Sequence, residues 1–179
     1  MTGHYDREKL KDAIHYVIAN VQSHPGFGAV KLYKVLWFAE SRMFLLRKKP
    51  IFDAPFIREK RGPVPTDGIR LRDELAAEGK IKQWKDSWHN RQIWRFQSLR
   101  RPSTIRFDSE ELKALAYWIK HTGEDHTAAS IIEQSHDYGW EIAKTGEALP
   151  LYACIASRMR EPTEAELLRA RHRMGFLGS

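Results

Sequence analysis

Cysteine is nearly missing: Cys154 is the only one in 179 residues. No internal disulfide can form, which excludes the disulfide-stapled secreted scaffolds and points to a reducing cytoplasm. Long apolar runs are missing too. No stretch approaches the roughly 20 residues that cross a bilayer. The opening MTGHYDREKLKD lacks the apolar core of a signal peptide. The expectation is a cytoplasmic protein without a membrane partner.

Recognisable catalytic patterns are also lacking. There is no G-x-S-x-G elbow and no G-x-x-x-x-G-K-S phosphate loop. His121, His126 and His136 fall within a short span beside Glu124 and Asp125. None of their spacings is the i, i+4 pair that sets two imidazoles on one helical face, and no cysteine pair supports them. Cys154 lies in an apolar run with no neighbour to stabilise a thiolate. The carboxylate pairs Glu110/Glu111 and Glu124/Asp125 suit helix N-termini. The residues give no reason to expect an enzyme, a metal or a cofactor.

What is present is an ordinary soluble mixture, 42% hydrophobic and 30% charged, long enough for one domain with a real core. The net charge of +7 is unevenly placed. Residues 47–101 carry 15 Lys and Arg against 7 Asp and Glu, whereas residues 102–179 are net acidic. A basic middle third attracts nucleic acid or an acidic protein, or is merely a solvated face.

The spacing predicts a helix from Asp6, as its cap, to about Gln22, with Leu10, Ile14, Val17, Ile18 and Val21 on one face. SHPGFG breaks it. A second helix, about Ala29 to Arg47, is apolar nearly all round and so central. Its Lys31, Lys34, Glu40 and Arg42 are expected to point to one side or to snorkel. IFDAPFIRE reads as extended, and RGPVP as a rigid corner: Gly62 free to take positive φ, Pro63 and Pro65 fixing the backbone around Val64. A helix then runs from Thr66 or Asp67 to Gly79. KIKQWKDSW and RQIWRFQS alternate as strands around HN, giving a β-hairpin with an aromatic face.

Asp108 and Glu111 form a capping box for the next helix. EDHTAASIIEQSHDYG reads as another, WEIAKTG as a short one closed by Gly146, and EALPLYACIAS is ambiguous between strand and helix. EPTEAELLRARHRMG is a last helix ending at Gly175. The fold class is therefore mainly α, of the α+β kind: a compact helical domain with a small β-hairpin. Residues 1–156 form the domain. Residues 157–179 form a C-terminal helix and tail, packed on it or extended.

The order helix, helix, extended piece, helix, hairpin is that of a winged helix-turn-helix, and GIRLRDELAAEGKIKQW resembles a recognition helix running into its wing. That makes a DNA-binding regulator the alternative function. Two features count against it. The helix offers Arg70 and Arg72 but few Asn, Gln or Ser for reading bases. Its acids Asp67, Asp73, Glu74 and Glu78 outnumber those arginines.

VKLYKVLWFAE, then GPVPTDGIRL, then SHDYGWEIAKTGEALPLY resembles, in that order, the Panacea domain of the SocA-like antitoxins. The matching positions are Lys31, Leu32, Phe38, Ala39, Gly62, Pro63, Val64, Ser135, His136, Trp140, Gly146, Leu149 and Pro150, and the resemblance spans about residues 8–155. The long basic, aromatic hairpin departs from the pattern. The resemblance implies a bacterial or phage antitoxin of a toxin–antitoxin system, without catalysis of its own. Such a protein neutralises a co-encoded toxin by direct contact and, in some members, hands it to a cytoplasmic protease.

Partner contacts are expected on the hairpin. Trp84, Trp88 and Trp94 cannot all bury easily beneath it, and exposed Trp beside Arg91 and Arg95 has the composition of an interface hot spot. The alternative is that all three pack inward. Any nucleic-acid binding is expected to be weak and non-specific. His136 and Trp140, four apart, share a helical face if the helix continues through Gly139.

Overall fold

The computed structural model describes residues 5–156 except 22, 23, 126 and 137. The segment expected to form the C-terminal helix lies outside the described residues. Among them, no helix is long and apolar enough to cross a membrane.

Helix α1 (Arg7–Val21) begins where Asp6 accepts the Lys9 amide at 2.9 Å. It buries Leu10, Ile14, Val17 and Ile18 completely. Helix α2 (Ala29–Arg47) is central to the molecule and touches α1 and several of the elements introduced below. Its central position explains why apolar residues surround it. It also overturns the expectation for its polar residues. Lys31, Lys34 and Glu40 do not reach solvent; they are 6%, 1% and 0% exposed, and only Arg42 lies outside. Around Lys31, Lys34 and Glu40 the helix is enclosed and leaves these side chains no face on which to snorkel, whereas its C-terminal part is open at Arg42 and Leu46.

RGPVP differs from expectation as well. After strand β1 (Phe56–Glu59) the chain turns at Lys60 and Arg61, and Gly62–Pro65 is strand β2, antiparallel to β1 with Ile57 opposite Val64 and Glu59 opposite Gly62. The stiff segment is an edge strand. Far along the chain, strand β5 (Ala148–Leu149) pairs with the other side of β1, giving the order β2-β1-β5. The Arg58 amide donates to Glu147 O and the Arg58 carbonyl accepts from the Gly146 amide, each at 2.8 Å. The backbone groups of Phe56 and Arg58 therefore face β5, and those of Ile57 and Glu59 face β2. It follows that Gly62 and Val64 turn their amides toward β1, and that Pro63 and Pro65 face the open edge. An edge is where a strand tolerates proline.

Helix α3 (Gly68–Ala77) packs on α1. Its acids are occupied within the fold: Glu74 pairs with Arg7 and Lys11, and Glu78 with Lys11 and Lys80. Strands β3 (Ile81–Trp88) and β4 (Arg91–Ser98) form the expected hairpin, with Trp84 opposite Arg95 and Lys85 opposite Trp94. That register divides the aromatics. Ile81, Trp94 and Phe96 share the inner face, and Trp84 and Trp88 the outer one. The aromatic residues therefore occupy both faces, because each strand shows alternate residues to opposite sides.

Helix α4 (Ser109–Lys120) has the capping box: Asp108 accepts the Glu110 and Glu111 amides, and Glu111 accepts the Asp108 amide, all at 2.9 Å. A cap of this kind contributes about 1 kcal/mol. A π-helical turn (His121–Asp125) follows, and the helix expected from Glu124 to Gly139 is cut to α5 (Ala128–Gln134), started by the Thr127 cap. Helix α6 (Tyr138–Ile142) is separate. Gly146 takes φ +87° where the short segment closes. The ambiguous stretch after it resolves into β5 and then α7 (Ala153–Ala156).

Candidate functional site

The positions singled out in the sequence fall into two places. The first lies under the edge strand. Gly62 is buried with φ +98°, and a Cβ there would stand on Ser135 Oγ and on Lys34 Nζ and Cε. Lys34 Nζ donates to Pro63 O at 3.1 Å. The outward carbonyl of the edge strand is thus taken by a buried lysine. Burial pushes the Lys34 ammonium down to about 7. Ser135 is wholly buried and donates its hydroxyl to Ile132 O at 2.7 Å.

His136 stacks on Trp140 with ring centroids 3.4 Å apart and planes 4° apart. The two are not on one helix, since His136 precedes α6; the stacking comes from the turn between α5 and α6. Burial lowers the His136 pKa, and the positive Lys34 and Arg58 lower it further. Its Nε2 has no hydrogen-bond partner among the described residues. Trp140 in turn donates Nε1 to Glu59 O at 3.1 Å, and the Arg58 guanidinium lies 3.9 Å over its ring. Arg58 completes the clasp by donating to Trp140 O and to Thr145 Oγ1, each at 2.9 Å. Leu32 is fully buried in the core, as is Leu36 one turn further along α2. Val64, on β2, is half-buried.

Chemically this cluster is a lock. A near-neutral lysine beside a serine has the composition of a nucleophile and its base. Both groups are sealed from solvent, however, and the serine proton is already given to a carbonyl. Sequence reasoning missed Lys34 and Arg58. For Lys34 a signal existed: Tyr33, Val35, Leu36 and Trp37 surround it in the part of α2 that is apolar on nearly every face. For Arg58, whose partners lie more than 80 residues away, there was none.

The second place is the hairpin. Trp84 and Trp88 are 36% and 38% exposed on the outer face, with exposed Arg91 opposite Trp88 and half-buried Arg95 opposite Trp84. Trp88 also borders Gly26, with Nε1 3.3 Å from where a Cβ would stand. Arg95 Nε is 4.0 Å from Asp86. Trp94 does not join the outer pair. It is half-buried, with the Arg72 guanidinium 4.7 Å over its ring. Arg72 is only 4% exposed, so α3 presents Arg70 alone, and that side chain pairs with Asp67 at 2.8 Å. The winged-helix reading loses a base reader by this burial. Lys31 is buried at the start of α2, where it lines a hollow shared with Arg61 and Arg91.

Two separated motifs, the Gly-Pro-Val of β2 and the Ser-His with its Trp, thus meet at one clasp on α2. The family described as "Antitoxin SocA-like, Panacea domain" matches residues 32–141. The chain belongs to the SocA-like antitoxin family. The match takes in the Panacea positions from Leu32 through Trp140, so it contains both halves of the clasp and the whole β3–β4 hairpin. No curated protein and no solved structure matches the chain.

Proposed function

We propose that this Panacea-domain protein is an antitoxin that silences a co-encoded toxin by direct protein–protein binding in the cytoplasm. The outer face of the β3–β4 hairpin forms part of the contact. The observation that carries the reading is the pair of exposed tryptophans, Trp84 and Trp88, flanked by Arg91 and Arg95 on a chain of this family. Exposed Trp beside Arg is the side-chain chemistry that dominates binding energy, about 2 kcal/mol or more per residue truncated. The protein acts by binding and has no catalysis of its own. Its buried polar cluster, with Ser135 and Lys34 closed to solvent, supports that.

The test is co-expression with the product of the neighbouring reading frame. Trp84→Ala and Trp88→Ala are expected to melt like the parent and to lose growth rescue. Rescue at full strength by both stable variants would move the contact elsewhere. Toxin half-life in a pulse-chase separates the two modes of silencing: shortened by an adaptor that hands toxin to a protease, unchanged by simple sequestration.

A further inference from the structure

Two hollows flank the first turn of α2. One, of about 360 Å³, lies between α2, the β1–β2 hairpin and the start of α3, with Ile57, Val64 and Ile69 among its walls. The other, of about 340 Å³, lies between α2, β4 and α5, walled by Ile93, Trp94 and Ile132. Both are bordered by Ala29, Val30 and Arg61, so they form one groove with Arg61 at the divide. Its charge is one-sided. The exposed cations Lys60, Arg61 and Arg91 line its rim, and among the described residues Glu59 is the one acid beside them.

We propose that this groove docks an extended segment of a partner protein in which carboxylates alternate with large apolar side chains. One apolar side chain would enter each hollow, with a carboxylate at Arg61 between them. Each hollow has the volume of a small ligand pocket, about 300 Å³. The cations at the rim complement acids, and the apolar walls complement what lies between the acids. Recognition has to run through side chains. Pro63 and Pro65 leave the open edge of β2 without amide donors, and Lys34 already holds the Pro63 carbonyl, so the segment cannot extend the sheet. A nucleic acid fits less well: a phosphate backbone calls for a continuous row of cations, whereas this groove is two apolar hollows with Glu59 on its border. The proposal rests on the antitoxin reading only for the partner's identity. The recognition chemistry stands on the groove.

The experiment uses a fluorescein-labelled octapeptide of alternating aspartate and leucine, titrated with the full chain and followed by anisotropy. Asparagine–leucine and aspartate–serine octapeptides and a single-stranded DNA octamer serve as competitors. Arg61 and Arg91 are exposed, so Arg61→Glu and Arg91→Glu are expected to melt like the parent. Each should weaken the aspartate–leucine peptide about tenfold or more. Arg61→Lys should retain most of the binding. The proposal is overturned by no binding up to about 1 mM, by equal binding to parent and Arg61→Glu, or by equal competition from the asparagine–leucine peptide. It is likewise overturned if the DNA octamer competes best. Growth rescue is scored separately. Failure of the parent to rescue sinks the antitoxin reading and leaves the peptide result standing. Full rescue by an Arg61→Glu protein that has lost the peptide overturns the groove as the toxin's seat.

Discussion

At Gly62 two constraints coincide: φ is +98°, and the space for a Cβ is filled by Lys34 and Ser135. Gly62→Ala is therefore expected to cost about 1–3 kcal/mol, from backbone strain and displacement of the buried lysine together. A thermal melt unchanged from the parent would show the residue to be dispensable. Lys34 and Glu40 make opposite contributions to pH dependence from the same helix. Burial lowers Lys34 from 10.5 to about 7. Between those values the unfolded chain holds a proton that the native chain has released, so stability rises with pH. Burial raises Glu40 from 4.5 to about 8, against the pull of the Ile51 and Phe52 amides that it accepts. Between those values the native chain holds a proton that the unfolded chain has lost, so stability falls as pH rises. Urea denaturation across pH should show both slopes. Glu40→Gln should flatten the fall and Lys34→Met the rise; slopes unaltered by these changes would refute the assignment.

The hairpin shows how an element can be legible in type and still hide its orientation. Its turn residues, His89 and Asn90, both have positive φ, 45° and 60°. That is the backbone of the tight turn matching the twist of two antiparallel strands, where Asn-Gly is favoured. Asn90→Gly is expected to stabilise the protein by about 0.5–1 kcal/mol by removing the Cβ from a left-handed position. A lower denaturation midpoint in that variant would contradict the turn assignment. The alternation of both strands was readable, yet which aromatics meet the core was not. Register between the strands puts Trp94 inward and Trp84 outward, and packing of Ile81 and Phe96 on the core fixes which face is which. In β2 the reverse held. Two prolines read as a rigid corner, but at an open edge their missing amides remove nothing from the ladder, and the segment is a strand.

On the scale of the whole molecule, α2 organises everything. The sheet β2-β1-β5 lies over it on one side and α1 and α4 pack on others, while the Arg58–Trp140 clasp ties the late part of the chain to the early part. The basic middle third, which read as a single patch, is dispersed by this packing. Arg72 is enclosed under Trp94, Lys80 is paired with Glu78, and Arg61 and Arg91 remain on the groove. By itself the sequence determined the local structure: α1, α2 and α4 from helical spacing, the Asp108 cap from its side chain, the hairpin from alternation about His89-Asn90, and the family from three short motifs in order. These depend on contacts within a few residues, whose preferences are written in the chain. Only the tertiary structure decided that Lys34 and Glu40 are buried, that β5 pairs with β1, that Gly62, Ser135 and Lys34 share one point, and that two hollows join at Arg61. Those features depend on residues tens of positions apart. Their free energy comes from what surrounds them after folding, which no local pattern encodes.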